Sequence, residues 1–426
     1  MTILKHVTRS LARISAPLIE RTLTYLSHRR RIVELIKNRE TKRLNRIRQL
    51  NRFLIIPGIH IGDTIIDQVF IPPFKHLFPD IEVSYVYQKK VYPLIHANPN
   101  IDKHYPFFEN LSYPSSRDSA NLKSLIKENN FNFIVNFCPY LPHTIFKGSQ
   151  IPFISLLRVI ANILRDHSSD SQKAHLVYQL EKYGQEVAGE IAAILGIEAQ
   201  TPASDLGLRL YLEPRVWEET QRAMNKLNLD PNSKKIFYNP DTGSRYTLMP
   251  FEFQTELLRG ILSDPRATIL LNCGHTFKNI EKQLMEDLPH DLRKRVVLIS
   301  KDIPLDIFSG MIDMCDMAVT GDTAPLHIAA AEKLTVGSDN KFRNSTAIVG
   351  IFGAGSAKVY GYDSFSNQHL PARQDAPSKT FEGSPRCKNI TCLDKPLKNC
   401  RKIRCFEPLK ARDVIDYILD YLSSLP

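Results

Sequence analysis

Short, largely apolar runs alternate with amphipathic stretches from residue 53 onward. Residues 53–57, 82–87 and 133–137 have the composition of buried strands. Helical spacing recurs in the stretches near 63–77, 118–129 and 172–195. This alternation is the βαβ rhythm of a parallel sheet. It predicts a first α/β domain over residues 53–213.

The same rhythm recurs in the second half and predicts a second α/β domain over residues 214–426. Its strand-like runs are 235–239, 268–272, 296–299, 317–320 and 347–352. Its helical stretches are 250–262, 277–287, 305–315 and 325–333. Two doubly wound, Rossmann-like lobes in tandem are therefore expected. In such sheets ligands bind beyond the carboxyl ends of the strands, so the residues that follow the strands are the candidates for function.

Residues 1–52 differ from this body in charge. They hold 14 of the 56 Lys and Arg residues but three of the 45 acids, so the other 42 bases and 42 acids balance. Apolar residues at three- and four-residue steps predict a basic amphipathic helical extension. Two interpretations stay open: a helical hairpin packed on the first lobe, or contact with an anionic membrane. Nucleic acid is not expected, because the chain has no zinc-finger or RNA-binding signature.

No apolar run approaches the roughly 20 residues that cross a bilayer. The longest candidate, residues 151–164, is interrupted by Arg158. The first residues also lack the apolar core and cleavage site of a secretory signal. A cytoplasmic protein is expected, peripheral on the inner membrane if the extension binds lipid, with its seven cysteines reduced.

A strand-to-helix turn at residues 317–333 is the first candidate for chemistry. An apolar strand ends at Gly321, Asp322 and Thr323, and His327 follows about one helical turn later. Backbone N–H groups at such a turn favour a phosphate or a pyrophosphate. The alternative is an Asp or Thr N-cap on a plain turn.

A second candidate turn follows the first strand. Gly58 and Gly62 free the backbone there, and Asp63 stands at the mouth of the next helix. A carboxylate at this edge can take a proton from a hydroxyl group. The alternative is again a helix cap.

Together these two turns resemble glycosyltransferase family 9, the lipopolysaccharide heptosyltransferases. The resemblance pairs an early Gly-Asp before a helix with a late Asp-Thr-x-x-x-His-x-Ala-x-Ala segment, and it covers residues 53–420. Further matches are the segment 98–102, Asn239-Pro240, Phe352-Gly353 and a Cys-rich C-terminal segment.

The resemblance implies a GT-B fold with an N-terminal acceptor lobe and a C-terminal lobe that binds ADP-heptose. It assigns Asp63 as the general base. It assigns the donor site to Asp322, Thr323, Ala324 and His327. Ala324 stands where the family usually has glycine, so either its φ is negative or the backbone has shifted.

The loop after the first strand of the second lobe extends the predicted donor site. The family offers a Thr or Ser and a Lys to the phosphates at this loop, which implies phosphate contacts from Thr242, Ser244 and Arg245, with arginine in place of lysine. The chain contains no Asp-x-Asp motif. A metal-independent reaction that requires no cofactor is therefore expected.

Four cysteines lie close together near the C-terminus, in the segment 387–405. They are Cys387, Cys392, Cys400 and Cys405. Reduced thiols at this density can hold a structural zinc or iron ion, and the alternative is free or partly bonded cysteines. A terminal helix over 409–423 is expected, crossing back onto the first lobe or packing locally.

The function implied is an inverting glycosyltransferase. It would transfer heptose from ADP-heptose to a saccharide acceptor, a glycan or glycolipid of lipopolysaccharide or a related surface glycan. A protein heptosyltransferase of the autotransporter-modifying type is one alternative. Others are a sugar-nucleotide epimerase and a non-catalytic protein that binds nucleotide sugars.

Overall fold

The computed structural model divides the chain into two compact units, Met1–Arg209 and Leu210–Pro426. The boundary predicted from the sequence lies near residue 213. The residues described are 30–58, 60–108, 116–138, 141, 143–146, 151–155, 159, 175–198, 207–243, 247–274, 279–337, 342–353, 357–362, 377–383 and 405–425. In that part of the chain no helix is long and apolar enough to span a bilayer.

The described part of the basic extension is a helix, α1 (Arg30–Leu44). Its inner face is held on the first unit by polar contacts. Tyr183 Oη donates to Glu40 Oε2 at 3.0 Å. The Arg43 guanidinium donates to the Phe153 carbonyl at 3.2 Å and lies 4.0 Å from the centre of that ring. This part of the extension is therefore packed on the first lobe, and residues 1–29 lie outside the described chain.

The first unit is built on a parallel five-stranded sheet in the order β3-β2-β1-β4-β5. Its strands are β1 (Arg52–Ile56), β2 (Glu82–Gln88), β3 (Lys103–Phe108), β4 (Phe133–Asn136) and β5 (Phe153–Ser155). Its further helices are α2 (Ile61–Asp67), α3 (Pro72–Leu77), α4 (Ser116–Glu128) and α5 (Leu176–Leu195). Short 3₁₀ helices occupy Gln68–Phe70, Lys89–Leu94 and His143–Phe146.

An aromatic cluster fills the core on one face of this sheet. Phe53 lies 4.8 Å from Phe74 and 5.4 Å from Phe133 between ring centres. Helix α5 approaches this core closely at Gly184, where an added Cβ would lie 3.1 Å from the Phe70 carbonyl oxygen. The buried residues of β1 thus fix the first strand at the centre of the sheet.

The second unit has a parallel six-stranded sheet in the order β13-β12-β10-β7-β8-β9. The strands of this unit are β6 (Arg209–Leu212), β7 (Lys234–Asn239), β8 (Ala267–Asn272), β9 (Val296–Ile299), β10 (Met317–Gly321), β11 (Glu332–Thr335), β12 (Ala347–Phe352) and β13 (Ser378–Glu382). Strands β6 and β11 form a separate pair. The helices are α6 (Pro214–Lys226), α7 (Phe251–Ile261), α8 (Ile280–Asp287), α9 (His290–Arg293), α10 (Leu305–Asp313), α11 (Ala324–Ala330), α12 (Ala357–Tyr360) and α13 (Ala411–Ser424).

The terminal helix α13 packs on α7 within the second unit. Val414, Ile418 and Leu422 of its apolar stripe are buried in that unit's core. Gly260 on α7 allows the approach, because an added Cβ there would collide with the Ile415 side chain. The stripe is therefore buried within the second unit, which is the local packing that the sequence analysis gave as one of its two alternatives.

Each sheet reverses its winding direction between two central strands. In the first unit the reversal lies between β1 and β4, and in the second between β7 and β10. Ligands of doubly wound sheets bind beyond the carboxyl ends of the strands at such switch points. The turns that follow β1 and β10, which contain Asp63 and Asp322, lie at these two places.

Candidate functional site

The turn between β1 and α2 positions Asp63 in the first unit. Asp63 is the third residue of the helix, and its Oδ2 accepts a hydrogen bond from the His60 N–H at 3.0 Å. Its side chain rests against the backbone of Gly58, where an added Cβ would lie 2.9 Å from Asp63 Oδ2 and closer still to its Cβ. Glycine is therefore required at position 58.

Asp63 takes part in the helix cap without being the N-cap residue. The N-cap residue is His60, and Asp63 closes a capping box from the third helical position. One carboxylate oxygen is used in this way. The other, Oδ1, accepts no hydrogen bond from the described part of the chain. Asp63 thus combines the local role with an oxygen that can take a proton.

A second carboxyl group lies one helical turn further along α2. Asp67 is buried, with 4% of its surface exposed, and its Oδ2 accepts from the Gly58 N–H at 2.6 Å. Burial and the nearby charge of Asp63 raise the pKa of Asp67 well above its ordinary value. The four-residue spacing from Asp63 was the signal in the sequence, and the sequence prediction did not use it.

In the second unit, a network of amide and hydroxyl groups joins the ends of β7, β8 and β10. Asn239 Nδ2 lies 3.1 Å from the hydroxyl oxygens of both Thr320 and Thr323 and 2.8 Å from the Asp241 carbonyl oxygen. Asn272 Nδ2 donates to Asn239 Oδ1 at 2.7 Å. Asn239 and Thr320 were absent from the predicted site, although Asn239-Pro240 contributed to the family resemblance.

Thr323 is the N-cap residue of α11, but its side chain makes no capping hydrogen bond. Its hydroxyl lies 3.0 Å from that of Thr320 instead. The Thr323 side chain therefore does not act as a plain helix cap, which was the alternative. Ala324 is the first residue of the helix and is not among the residues with positive φ. The sequence left two alternatives for Ala324, a negative φ or a shifted backbone, and the structure has the negative φ.

His327 lies inside the second unit, 5% exposed. Its Nδ1 shares a hydrogen bond of 2.8 Å with the Tyr362 hydroxyl, and the ring centre of Tyr360 is 6.3 Å away. Burial lowers the pKa of His327 to about 4. The imidazole is therefore neutral at pH 7, so it can act as a hydrogen-bonding group but not as a fixed cation. Tyr362 was not predicted, because its contact with His327 depends on the tertiary fold.

Helix α11 is fixed at its other end by a buried lysine. Lys333 Nζ donates to the carbonyl oxygens of Ile328 at 2.6 Å and of Ala331 at 2.9 Å. It lies 4.0 Å from Asp313 Oδ1, and both side chains are 1% exposed. A cation at the carboxyl end of the helix complements the helix dipole. Lys333 thus fixes the end of α11 that lies opposite the turn at Asp322 and Thr323.

The remaining predicted site residues are described only in part. Thr242 is buried and its hydroxyl forms a short hydrogen bond with that of Thr247. Ser244 and Arg245 lie outside the described residues. So do Cys387, Cys392 and Cys400, whereas Cys405 is described and buried. Across the described ranges no group of three or more His, Cys, Asp or Glu side chains could hold a metal, which leaves the cysteine prediction untested.

Comparison with known proteins gives a match at the level of structure. No family model matches the sequence, and no curated protein matches it. A glycosyltransferase of family 9 from Veillonella parvula is similar with a TM-score of 0.59 at 14% identity, over 88% of this chain and 99% of that one. The E. coli ADP-heptose lipopolysaccharide heptosyltransferase II gives 0.57 at 14% identity, over 88% and 98%.

A third similar structure is E. coli heptosyltransferase WaaC with ADP, at a TM-score of 0.50 and 13% identity over 87% of this chain and 99% of that one. The GT-B fold consists of two Rossmann-like units, and this chain has two such units over most of its length. The fold that the sequence motifs predicted is therefore confirmed as that of the family 9 glycosyltransferases.

Proposed function

We propose that this protein is an inverting, metal-independent glycosyltransferase that transfers a sugar, heptose from ADP-heptose, to a saccharide acceptor of a surface glycan. The observation that carries the proposal is the placement of two different chemistries at two switch points. A carboxylate lies at one, Asp63, and an amide and hydroxyl network around Thr323 lies at the other. The fold shared with heptosyltransferases supports this assignment.

The second unit would bind the donor. The start of α11 offers backbone N–H groups and the Asp322 and Thr323 side chains, which suit a diphosphate and its sugar. Neutral His327 would donate or accept one hydrogen bond there. Arg245 would supply the positive charge that a bound metal supplies in other transferases.

Asp63 would act as the general base. The acceptor oxygen attacks the anomeric carbon of the sugar, and its proton passes to the Asp63 carboxylate. The bond between that carbon and the diphosphate oxygen breaks, and ADP leaves with the electron pair. Direct displacement inverts the anomeric configuration.

Replacing Asp63 with Asn tests this role. The exchange keeps an oxygen that can accept from His60 N–H but removes the base, so kcat should fall by about 10²–10⁴-fold. Donor affinity, measured by calorimetry, should stay at the wild-type value because the donor site lies in the other unit. Full activity in D63N would refute the assignment of the base.

Asp102 offers a matched control. Its Oδ2 also accepts a backbone N–H, that of Val83 at 2.7 Å, but at the amino end of the sheet, where it also accepts from Lys75 Nζ at 2.7 Å. D102N should therefore keep the wild-type kcat. A loss equal to that of D63N would mean that the loss of any carboxylate in this unit disables the enzyme.

The donor is identified by thermal shift with ADP, GDP and UDP sugars, followed by turnover. Release of ADP together with a modified saccharide supports the proposal, and a modified protein instead points to a protein heptosyltransferase. Conversion of a UDP sugar without an acceptor indicates an epimerase. Binding without reaction indicates a non-catalytic protein.

The basic extension would hold the enzyme at an anionic membrane surface where a glycolipid acceptor resides. Beyond the packed side of α1, a set of cations is exposed on the helix and the turn after it. These are Lys37, Arg39, Lys42, Arg46 and Arg48. Each basic residue near an anionic leaflet contributes about 1 kcal/mol.

A further inference from the structure

Asp67 is a buried carboxyl group of the first unit that the proposed reaction does not use. Asp67 lies on α2 one turn after Asp63, inside the protein rather than at its surface. Burying a carboxyl group is unfavourable unless its partners compensate. Its contacts therefore indicate what it does.

Asp67 fixes the turn that carries Asp63. Its Oδ2 accepts from the N–H of Gly58 at 2.6 Å, which ties the end of β1 to the second turn of α2. The Asp63 side chain lies against the same glycine, within 2.9 Å of where its Cβ would be. Any shift of Gly58 therefore moves the surface on which the Asp63 carboxylate rests.

The surroundings of Asp67 favour its neutral form. Burial is the larger cause and the Asp63 charge the second, and the bond from Gly58 opposes both without cancelling them. Tyr85 on β2 faces both carboxyl groups and donates to the Thr64 carbonyl oxygen at 3.4 Å. Burial first, and then the charges of Asp67 and Asp63, raise the pKa of Tyr85, so its hydroxyl stays neutral too.

We propose that Asp67 is a positioning residue, which holds Gly58 against Asp63 and carries a proton while Asp63 is ionised. A neutral Asp67 supplies the hydrogen-bond acceptor that the turn needs without a second negative charge beside the base. Two ionised carboxylates at this spacing would repel each other. This inference rests on the proposed role of Asp63 as the base.

Two substitutions at position 67 separate the parts of this role. D67A removes the acceptor, so Gly58 loses its anchor and kcat should fall on the order of 100-fold, with the donor KM unchanged. D67N keeps an acceptor oxygen and has no charge, so it should recover most of that loss. Equal loss of kcat in both variants, or wild-type kcat in D67A, would overturn the positioning role.

The pH profile of D67N tests whether Asp67 is protonated. With Asp67 already neutral, its exchange for Asn leaves the acidic limb of kcat/KM at the wild-type position. An ionised Asp67 would repel the negative charge of the base, and D67N would then move this limb to lower pH. Such a shift contradicts the proposal.

A readout without turnover separates this inference from the proposed function. The infrared difference spectrum between wild type and D67N at neutral pH should show the carbonyl stretch of a protonated carboxylic acid. If no donor supports transfer but this band is present, the proposed function fails while the protonated Asp67 stands. A band of an ionised carboxylate in its place overturns the inference alone.

Asn132 provides a control for general loosening of β1. Its Oδ1 accepts from the N–H groups of Asn51 and Arg52 at 3.1 and 2.9 Å, at the opposite end of the same strand. N132A should lower the melting temperature without the fall in kcat that D67A shows. If N132A and D67A lower kcat equally, the effect belongs to the strand and not to Asp67.

Discussion

At the scale of single residues, the enclosure of His327 makes the second unit sensitive to acid. Its folded pKa of about 4 lies below the ordinary 6.5, so the fold favours the neutral ring. The stability from this group is fully present above about pH 6.5 and is lost as the pH falls towards 4. The full loss is about 3 kcal/mol, from about 1.4 kcal/mol per pKa unit.

Urea unfolding at pH 7.5 and 4.5 measures this loss. Trp217 is the single tryptophan of the chain and lies 5.3 Å from the Phe342 ring, so its fluorescence reports on the second unit. H327Q should have a smaller difference between the two pH values than wild type. H290Q, which replaces an exposed histidine of α9, should keep the wild-type difference. An unchanged pH dependence in H327Q would contradict this account.

Residues that act through local motifs were predictable from the sequence, and residues that act through tertiary contacts were not. The Gly-Asp turn and the Asp-Thr turn each carry their candidate residues within a few positions of a strand. Asn239 bonds to Thr320, 81 positions away, and Tyr362 reaches His327 across 35. A single sequence contains no signal for such pairs.

At the scale of elements, the anchoring of α11 depends on Lys333. K333M removes the donor to three carbonyl groups and leaves the buried Asp313 without its cation. Breaking a buried pair in this way costs about 3–5 kcal/mol. Urea unfolding followed by Trp217 fluorescence should show that loss.

The double variant D313N/K333M tests whether the unpaired Asp313 carboxylate causes the loss of stability in K333M. Removing the stranded carboxylate should restore part of the stability that K333M loses. If the double variant is less stable by the sum of both single losses, the two side chains do not act as a pair.

Strands with a continuous apolar run were predicted most accurately, at the centre of a sheet and at its edge alike, since the run at 296–299 coincides with the edge strand β9. The strand-like runs at 53–57 and 347–352 coincide with β1 and β12 to within one residue. The edge strands β3 and β13 were missed, because β13 is only partly buried and neither forms a continuous apolar run. The helix predicted over 325–333 ends at Ala330, since the chain turns there into β11, which pairs with β6.

At the scale of the whole molecule, the net positive charge of the chain lies in its first 52 residues. Under the proposed membrane contact, binding to vesicles should depend on those residues. The protein should cosediment with vesicles containing phosphatidylglycerol but not with pure phosphatidylcholine, and salt should weaken the binding. R39Q/K42Q/R46Q removes three cations, which is about 3 kcal/mol or on the order of 100-fold in affinity.

A triple variant in the second unit controls for net charge. R222Q/K282Q/R412Q neutralises three exposed cations outside the extension. It should bind vesicles as the wild type does. Equal weakening by both triple variants would show that the overall charge, and not the extension, governs binding.

The two sheets, each complete with its own switch point, also bear on how such a chain can diversify. Under the proposed function, substitutions after Leu210 alter which activated sugar is accepted, and substitutions before it alter which hydroxyl is modified. The two preferences can then be inherited separately. A hybrid joined at the boundary between the two units would take its donor from one parent and its acceptor from the other.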